Sequence, residues 1–203
     1  DNKYIDDYES DSKGLYTKII KKVGENKEFG ITFENYQKES ESSTTPENLT
    51  SNYISATNEA DSERTRISFD FDYASSEDSN FDLIKGSLYF NDMDYENSYK
   101  ERTLSGGTDN DHDLDQDTLG ANLQISNELM VGETRHLITY GFEASKFNGV
   151  RTAKDYSPNS QGVYELDSGY PQKTVPETDV NKYGIYFQNE VSLGDLEIIG
   201  GIR

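Results

Sequence analysis

Hydrophobic and polar residues alternate over most of this chain. In the clearest run, residues 66–73, every second position is apolar and the others are polar; the apolar set is Ile67, Phe69, Phe71 and Tyr73. A period of two is typical of a β-strand with one apolar and one polar face, whereas the longer period of an amphipathic helix is nearly absent. The pattern therefore predicts an all-β fold.

The same alternation predicts about eight strands, and the connections between them alternate in length. The strands are expected near residues 14–24, 28–39, 63–75, 80–96, 117–131, 134–147, 179–193 and 195–203. Short turns rich in Gly, Asn and Ser alternate with long polar segments, which we predict to be loops at 40–62, 97–116 and 148–178. Successive antiparallel hairpins with this alternation of connections are typical of barrels in bacterial outer membranes.

Soluble β-sandwiches also alternate, but three features favour an antiparallel up-and-down transmembrane β-barrel. The runs at 64–75 and 117–131 suit the roughly 9–11 residues of a tilted transmembrane strand. The predicted long loops all lie at the same end of the strands. Aromatic residues lie near strand ends, as in the girdles of such barrels: Tyr36, Tyr95 and Tyr99 toward the long loops, and Phe29, Tyr73 and Phe81 toward the short turns. Outer-membrane lipid is therefore an expected partner.

Composition limits the remaining possibilities. A net charge of -20 and a mean hydropathy of -0.89 alone would indicate a solvated chain, but 15 Tyr and 9 Phe argue for a folded one. The acidic balance argues against a nucleic-acid partner, and the absence of cysteine excludes disulfides and thiolate metal sites. The chain opens in polar sequence and ends at Arg203 within a predicted strand, so we expect a fragment of a larger barrel.

Three segments in the last third of the chain resemble strands of the TonB-dependent outer-membrane receptors. Residues 135–143 (RHLITYGFE) resemble the family's strand H-x-L-T-Y-G-x-E. Residues 182–191 (KYGIYFQNEV) resemble x-G-x-F-x-Q-D-E, with Asn189 where Asp is usual. Residues 196–203 (LEIIGGIR) resemble L-x-P-G-x-R, with Gly200 at the proline position. The resemblance covers about residues 63–203 and is closest to the haemoglobin, haem and transferrin receptor branch.

This resemblance implies a fold, a location and a function. Such receptors form a barrel of about 22 strands in the bacterial outer membrane, closed by a plug domain that we expect to lie outside this fragment. They import iron-bearing ligands with energy from the TonB complex. The resemblance thus implies that plug, TonB complex and iron-bearing ligand are partners, that haem or a ferric complex is the cargo, and that the protein is not an enzyme.

The predicted long loops hold the candidate site residues. His112 could coordinate haem iron, since histidine is a common axial ligand, although a lone loop histidine is more often simply exposed. Further candidates for ligand contact lie in the segment 148–178, namely Tyr156, Tyr164 and Tyr170. Alternate aspartates in 109–117 could bind Ca²⁺, although the glycine and glutamate of a calcium loop are missing. These four are Asp109, Asp111, Asp113 and Asp115; the alternative is a solvated loop.

The polar faces of the strands and the competing functions complete the predictions. We expect one set of side chains to face the barrel lumen: Arg66, Asp70, Asp72, Lys85, Gln124, Glu143 and Glu190. The leading hypothesis is uptake of haem or a haem protein. The alternatives are a ferric-siderophore receptor and a small, non-transporting barrel that acts as an adhesin or structural protein, since eight strands suffice to close a barrel.

Overall fold

The computed structural model describes residues 7–45, 53–75 and 81–203, which form one antiparallel sheet. Its strands are β1 (Asp7–Val23), β2 (Lys27–Thr44), β3 (Tyr53–Ala74), β4 (Leu83–Thr103), β5 (Gly106–Val131), β6 (Thr134–Pro158), β7 (Tyr164–Leu166), β8 (Gln172–Leu193) and β9 (Leu196–Ile202). The strands pair in chain order, except that the short β7 pairs only with β6. No helix in the described ranges is long and apolar enough to cross a membrane. The all-β, up-and-down prediction is confirmed.

The strands are longer than the sequence pattern indicated. The predicted loop at 97–116 is wrong, because β4 and β5 run through it and only Leu104 and Ser105 connect them. Likewise β2 and β3 enter the range 40–62, of which 46–52 lie outside the described residues, and β6, β7 and β8 occupy most of 148–178. Pairing in the ladder gives each backbone N–H and C=O a partner, and this outweighs the low strand propensity of Asp, Asn and Ser.

Tight turns join the strands at one end of the sheet, which we call the turn end. Gly24, Gly132 and Gly194 begin three of these turns with φ values of 67°, 66° and 59°. Glycine adopts this left-handed conformation without the steric cost that a Cβ imposes. The short turn expected between the predicted strands 63–75 and 80–96 lies mostly outside the described residues. The opposite end of the sheet, where the strands run furthest, is called the far end.

Unbroken pairing fixes which residues share a face. Directly paired residues in an antiparallel sheet project to the same side, so a row of pairs can be followed from strand to strand. One such row crosses seven strands and contains Ile19, Ile31, Phe69, Leu88, Ala121, Ala144 and Tyr183. We call this row and its apolar neighbours on the same face the apolar belt. All seven side chains predicted to face the lumen, from Arg66 to Glu190, lie on the opposite face.

Burial shows how the sheet curves. The buried residues apart from glycine are small and all lie on the polar face: Thr32, Ala56, Ser68, Ser126 and Ala153. Large belt residues stay exposed, with Ile19 at 65% and Leu88 at 57%. Side chains crowd on the concave side of a curved sheet, so the polar face is concave and the belt is convex. A sandwich would bury the belt between two layers, which the described part of the chain does not do.

Aromatic side chains stiffen the concave face by lying across glycines of the neighbouring strand. The Tyr89 ring of β4 covers Gly120 of β5, where any Cβ would overlap it. The guanidinium carbon of Arg66 lies 5.1 Å from the centre of the same ring, within the range of a cation–π interaction. In the same way Tyr186 covers Gly141, and its hydroxyl lies 3.3 Å from Oε1 of Gln124. These contacts hold the spacing of the central strands.

Candidate functional site

Beyond the apolar belt, the sheet continues toward the far end as a two-sided wall. In β5 this extension runs from residue 106 to residue 118, and its pairing with β4 shows no register shift. The alternation of faces therefore continues without interruption. We call the convex side of the extension the outer face and its concave side the inner wall.

The outer face is strongly acidic. Its carboxylates come from five strands in neighbouring registers: Glu9 and Asp11, Glu39 and Glu41, Glu59, Asp61 and Glu63, Asp92, Asp94 and Glu96, and the odd-numbered aspartates from Asp109 to Asp117. Ion pairs offset part of this charge. Lys154 contacts Asp113 at 2.7 Å and Lys100 contacts Glu59 at 3.2 Å, while Arg102 pairs with Asp109. Most of the acidic excess of the far end thus points away from the inner wall.

The pKa values of outer-face groups follow from these contacts. Burial raises the pKa of Asp92, and the neighbouring Asp117, Asp94 and Asp115 raise it further. The hydrogen bond to Asp113 raises the pKa of Lys154. A carboxyl group crowded by like charges favours its protonated form, and an ammonium group paired with a carboxylate favours its charged form.

The structure places the predicted calcium ligands on this outer face and in a strand. Asp109, Asp111, Asp113 and Asp115 occupy alternate positions of β5, so the loop that the calcium prediction required is absent. Alternate residues of a strand are about 6.6 Å apart, too far for four neighbours to surround one ion. Within the described residues, no group of three or more His, Asp or Glu side chains is placed to hold a metal ion.

The inner wall is mostly polar and uncharged, and it carries far fewer carboxylates than the outer face. One row across it contains Ser40, Ala60, Asn97, His112 and Ala153. The next row toward the far end contains Ser42, Asn58, Tyr99, Asn110 and Asp155. Nδ2 of Asn97 donates a hydrogen bond to Oδ1 of Asn58 at 2.9 Å. The Tyr99 hydroxyl lies 3.0 Å from Oε2 of Glu101. Amides, hydroxyls and aromatic rings therefore form the surface that a ligand would meet.

Two of the predicted ligand-binding residues lie close together on this wall. His112 is paired with Asn97 on one side and Ala153 on the other, and its Nδ1 is buried with no hydrogen-bond partner in the described residues. The Tyr170 hydroxyl forms a hydrogen bond with the side chain of Asp155, which lies one row nearer the far end, and this bond raises the pKa of the hydroxyl. The structure thus brings an imidazole and a phenol to neighbouring positions.

The other two predicted residues lie on the opposite side. Tyr156 is paired with Asp109 and Leu166, which places it on the outer face. Tyr164 follows the same face, and its ring centre lies 4.3 Å from the guanidinium carbon of Arg102. This stacking joins β7 to the β4–β5 hairpin. The structure therefore separates Tyr156 and Tyr164 from His112 and Tyr170.

Sequence reasoning missed several residues of the inner wall. Tyr95 and Tyr99 were assigned to an aromatic girdle with Tyr36, but all three face the concave side, so this assignment is wrong. The sequence spacing could have predicted this. Tyr95 stands five positions after the belt residue Phe90, and residues an odd number of positions apart in one strand lie on opposite faces. Arg151 was missed for a different reason: the range 148–178 was interpreted as a loop, but Arg151 lies in β6.

Comparison with known proteins agrees with this architecture. A search of curated proteins found no match to the chain. A family model described as "TonB dependent receptor-like, beta-barrel" matches residues 3–203. The match spans the whole sheet, including the apolar belt, the polar concave face and the extension at the far end. The chain therefore belongs to the TonB-dependent receptor-like β-barrel family.

Proposed function

We propose that this protein takes up an iron-containing ligand through the bacterial outer membrane, with haem or a haem protein as the favoured cargo. The family consists of outer-membrane receptors that transport their ligands. The apolar belt supports contact with lipid, because its large side chains are exposed on the convex face. The concave polar face supports contact with water and with a plug domain inside a closed barrel.

The two ends of the sheet support an orientation in the membrane. Outer-membrane barrels have short turns in the periplasm and long extensions outside the cell. We therefore propose that the turn end is periplasmic and the far end extracellular. In this orientation the inner wall lines the entrance through which cargo reaches the plug, and the TonB complex acts on the receptor from the periplasmic side.

The position of His112 is the single observation that favours haem. Its imidazole belongs to the inner wall, next to a row that contains Tyr99, Asn110 and the Tyr170–Asp155 pair. Imidazole nitrogen is a common axial ligand of haem iron, and aromatic rings can stack on the porphyrin plane. A ferric siderophore is the second candidate, and it would use the amides and phenols of the wall without coordination by His112.

Growth experiments with the full-length receptor test the cargo. A strain lacking the receptor gene should fail to grow on haem as the sole iron source, and wild-type receptor should restore growth. His112→Ala should reduce this growth and weaken the Soret shift of haem added to purified receptor. Asp111→Ala is the matched control, because Asp111 adjoins His112 in β5 but lies on the outer face.

The outcomes separate the alternatives. Receptor-dependent growth on a ferric siderophore, but not on haem, would replace the favoured cargo with the second candidate. Haem-dependent growth with an unchanged His112→Ala variant would keep the cargo and remove His112 as an iron ligand. Receptor with no effect on either iron source would leave the family assignment intact and refute the iron cargo.

A further inference from the structure

Arg151 is an arginine without a carboxylate partner in an acid-rich chain. The sequence has 39 Asp and Glu against 19 Lys and Arg, so carboxylates outnumber cations about two to one. Arg64, Arg102, Arg135 and Arg203 each pair with an Asp or Glu, and the Arg66 guanidinium lies over the Tyr89 ring. In the part of the chain that the structure describes, no carboxylate oxygen lies within 4.0 Å of the Arg151 guanidinium nitrogens. The charge of this exposed side chain is therefore available to a ligand.

The inner wall explains why Arg151 has no partner. Arg151 is paired with Leu114 of β5, and its neighbours on the same face of β6 are Gly149 and Ala153. The aspartates of β5 near this row, the odd-numbered ones from Asp109 to Asp117, all point to the outer face. The nearest acid on the same face of β6 is Asp155, which is already engaged by Tyr170. Arg151 thus presents a positive charge in a row that also contains Lys38 of β2 and holds no carboxylate.

The pairing of β6 with β8 is irregular at this residue. Gly149 pairs with Thr178, Arg151 with Val175, and Thr152 with Lys173, so β8 contributes one extra residue on each side of Arg151. The pairing of Arg151 with β5 on its other side stays regular. Bulges of this kind occur next to binding sites, where they change the direction of side chains and open the ladder.

We infer that Arg151 binds an anionic oxygen group, such as a carboxylate, of the incoming ligand. A guanidinium group can donate two parallel hydrogen bonds to a carboxylate or phosphate, which gives both affinity and orientation. His112 lies in the adjoining row, so a ligand held at its acidic edge by Arg151 would reach the imidazole. This inference rests on the proposed function, because it assigns the contact to cargo entering along the inner wall.

Binding measurements on the purified full-length receptor test this role. The probes are haem, which carries two carboxylates, haem dimethyl ester, in which both are blocked, and ferric citrate. Arg151→Gln should weaken haem binding by about 10- to 100-fold, the usual effect of losing a charged hydrogen-bonding pair, and should leave ester binding unchanged. Arg151→Lys should recover part of the affinity, because it keeps the charge but loses the paired geometry.

Lys154→Gln is the matched control. Lys154 lies three residues away on β6, but on the outer face and paired with Asp113, so its loss removes one positive charge without changing the inner wall. This variant should bind haem as the wild type does. Heat-modifiable mobility on gels should show that all three variants fold, since both positions are accessible to solvent.

The outcomes separate this inference from the proposed cargo. Unchanged haem affinity in Arg151→Gln, or an equal loss for haem and its ester, would overturn the role of Arg151 while haem remains the cargo. No haem binding by wild type, with ferric citrate binding that Arg151→Gln weakens, would overturn haem and support Arg151. Binding of none of the three probes would count against both.

Discussion

Ile19 and Ile20 are neighbours in β1 that face opposite sides of the sheet. Ile19 belongs to the apolar belt and is 65% exposed, whereas Ile20 is 49% exposed and shares the concave face with Gly30 and Asp70. Replacing either residue with lysine makes the same chemical change one position apart. The pair therefore tests directly which face contacts lipid.

The two substitutions should differ several-fold in energetic cost. Ile19 lies in the central row of the belt, and a lysine near the bilayer midplane destabilises an outer-membrane barrel by about 2–4 kcal/mol. Ile20→Lys should cost about 1 kcal/mol or less, because the new ammonium group would meet water on the polar concave face, beside Lys18 and Asp70. The expected difference of about 1 kcal/mol or more changes the folding equilibrium by about fivefold or more.

Refolding of the full-length receptor into lipid vesicles measures this difference. The free energy of unfolding is obtained from denaturant titrations, with folded and unfolded receptor separated by their mobility on unheated gels. This gel shift requires no fluorophore. Equal destabilisation by the two variants, or a larger effect of Ile20→Lys, would refute the assignment of the convex face to lipid.

Two further predictions concern packing and charge. Gly120→Val should displace the Tyr89 ring and lower the free energy of unfolding by about 1–3 kcal/mol, whereas Gly86→Val, whose Cβ would meet only ordinary contacts, should have little effect in the same titrations. Burial and the neighbouring Asp117 raise the pKa of Asp92, so the folded protein gains stability as the pH falls through that raised pKa and loses it as the pH rises. Asp92→Asn should therefore raise the free energy of unfolding at neutral pH by about 0.2–1 kcal/mol, and a drop would contradict this sign.

The alternation of residue types predicted much of the fold. Runs such as 66–73 place four apolar side chains on one face, and only a β-strand does this with a period of two. The same logic placed Arg66, Asp70 and Glu190 on the concave face. Turn glycines such as Gly132 marked the ends of hairpins correctly, because their left-handed conformation excludes most other residues.

Strand length and the candidate site were harder to predict from the sequence. Residues 97–116 are rich in Asp, Asn and Ser, which suggests a loop, but pairing with strands distant in sequence extends β4 and β5 through them. The same alternation that suggested calcium ligands at Asp109 to Asp115 also describes one face of a strand. No feature of the local sequence marked Arg151. It lacks a carboxylate partner because of which residues stand beside it in β5, β6 and β8, and this depends on the pairing of the strands.

The unbroken ladder of the far end has a mechanical consequence. At about 3.3 Å per residue, residues 106–118 extend roughly 40 Å along the strand, and every step is tied to its neighbours by backbone hydrogen bonds. An extended sheet of this kind resists bending far more than separate loops do, and it cannot close over a bound molecule as a mobile loop would. Selection at this entrance then depends on fit to a rigid template, and little conformational freedom remains to be lost when a molecule settles on it.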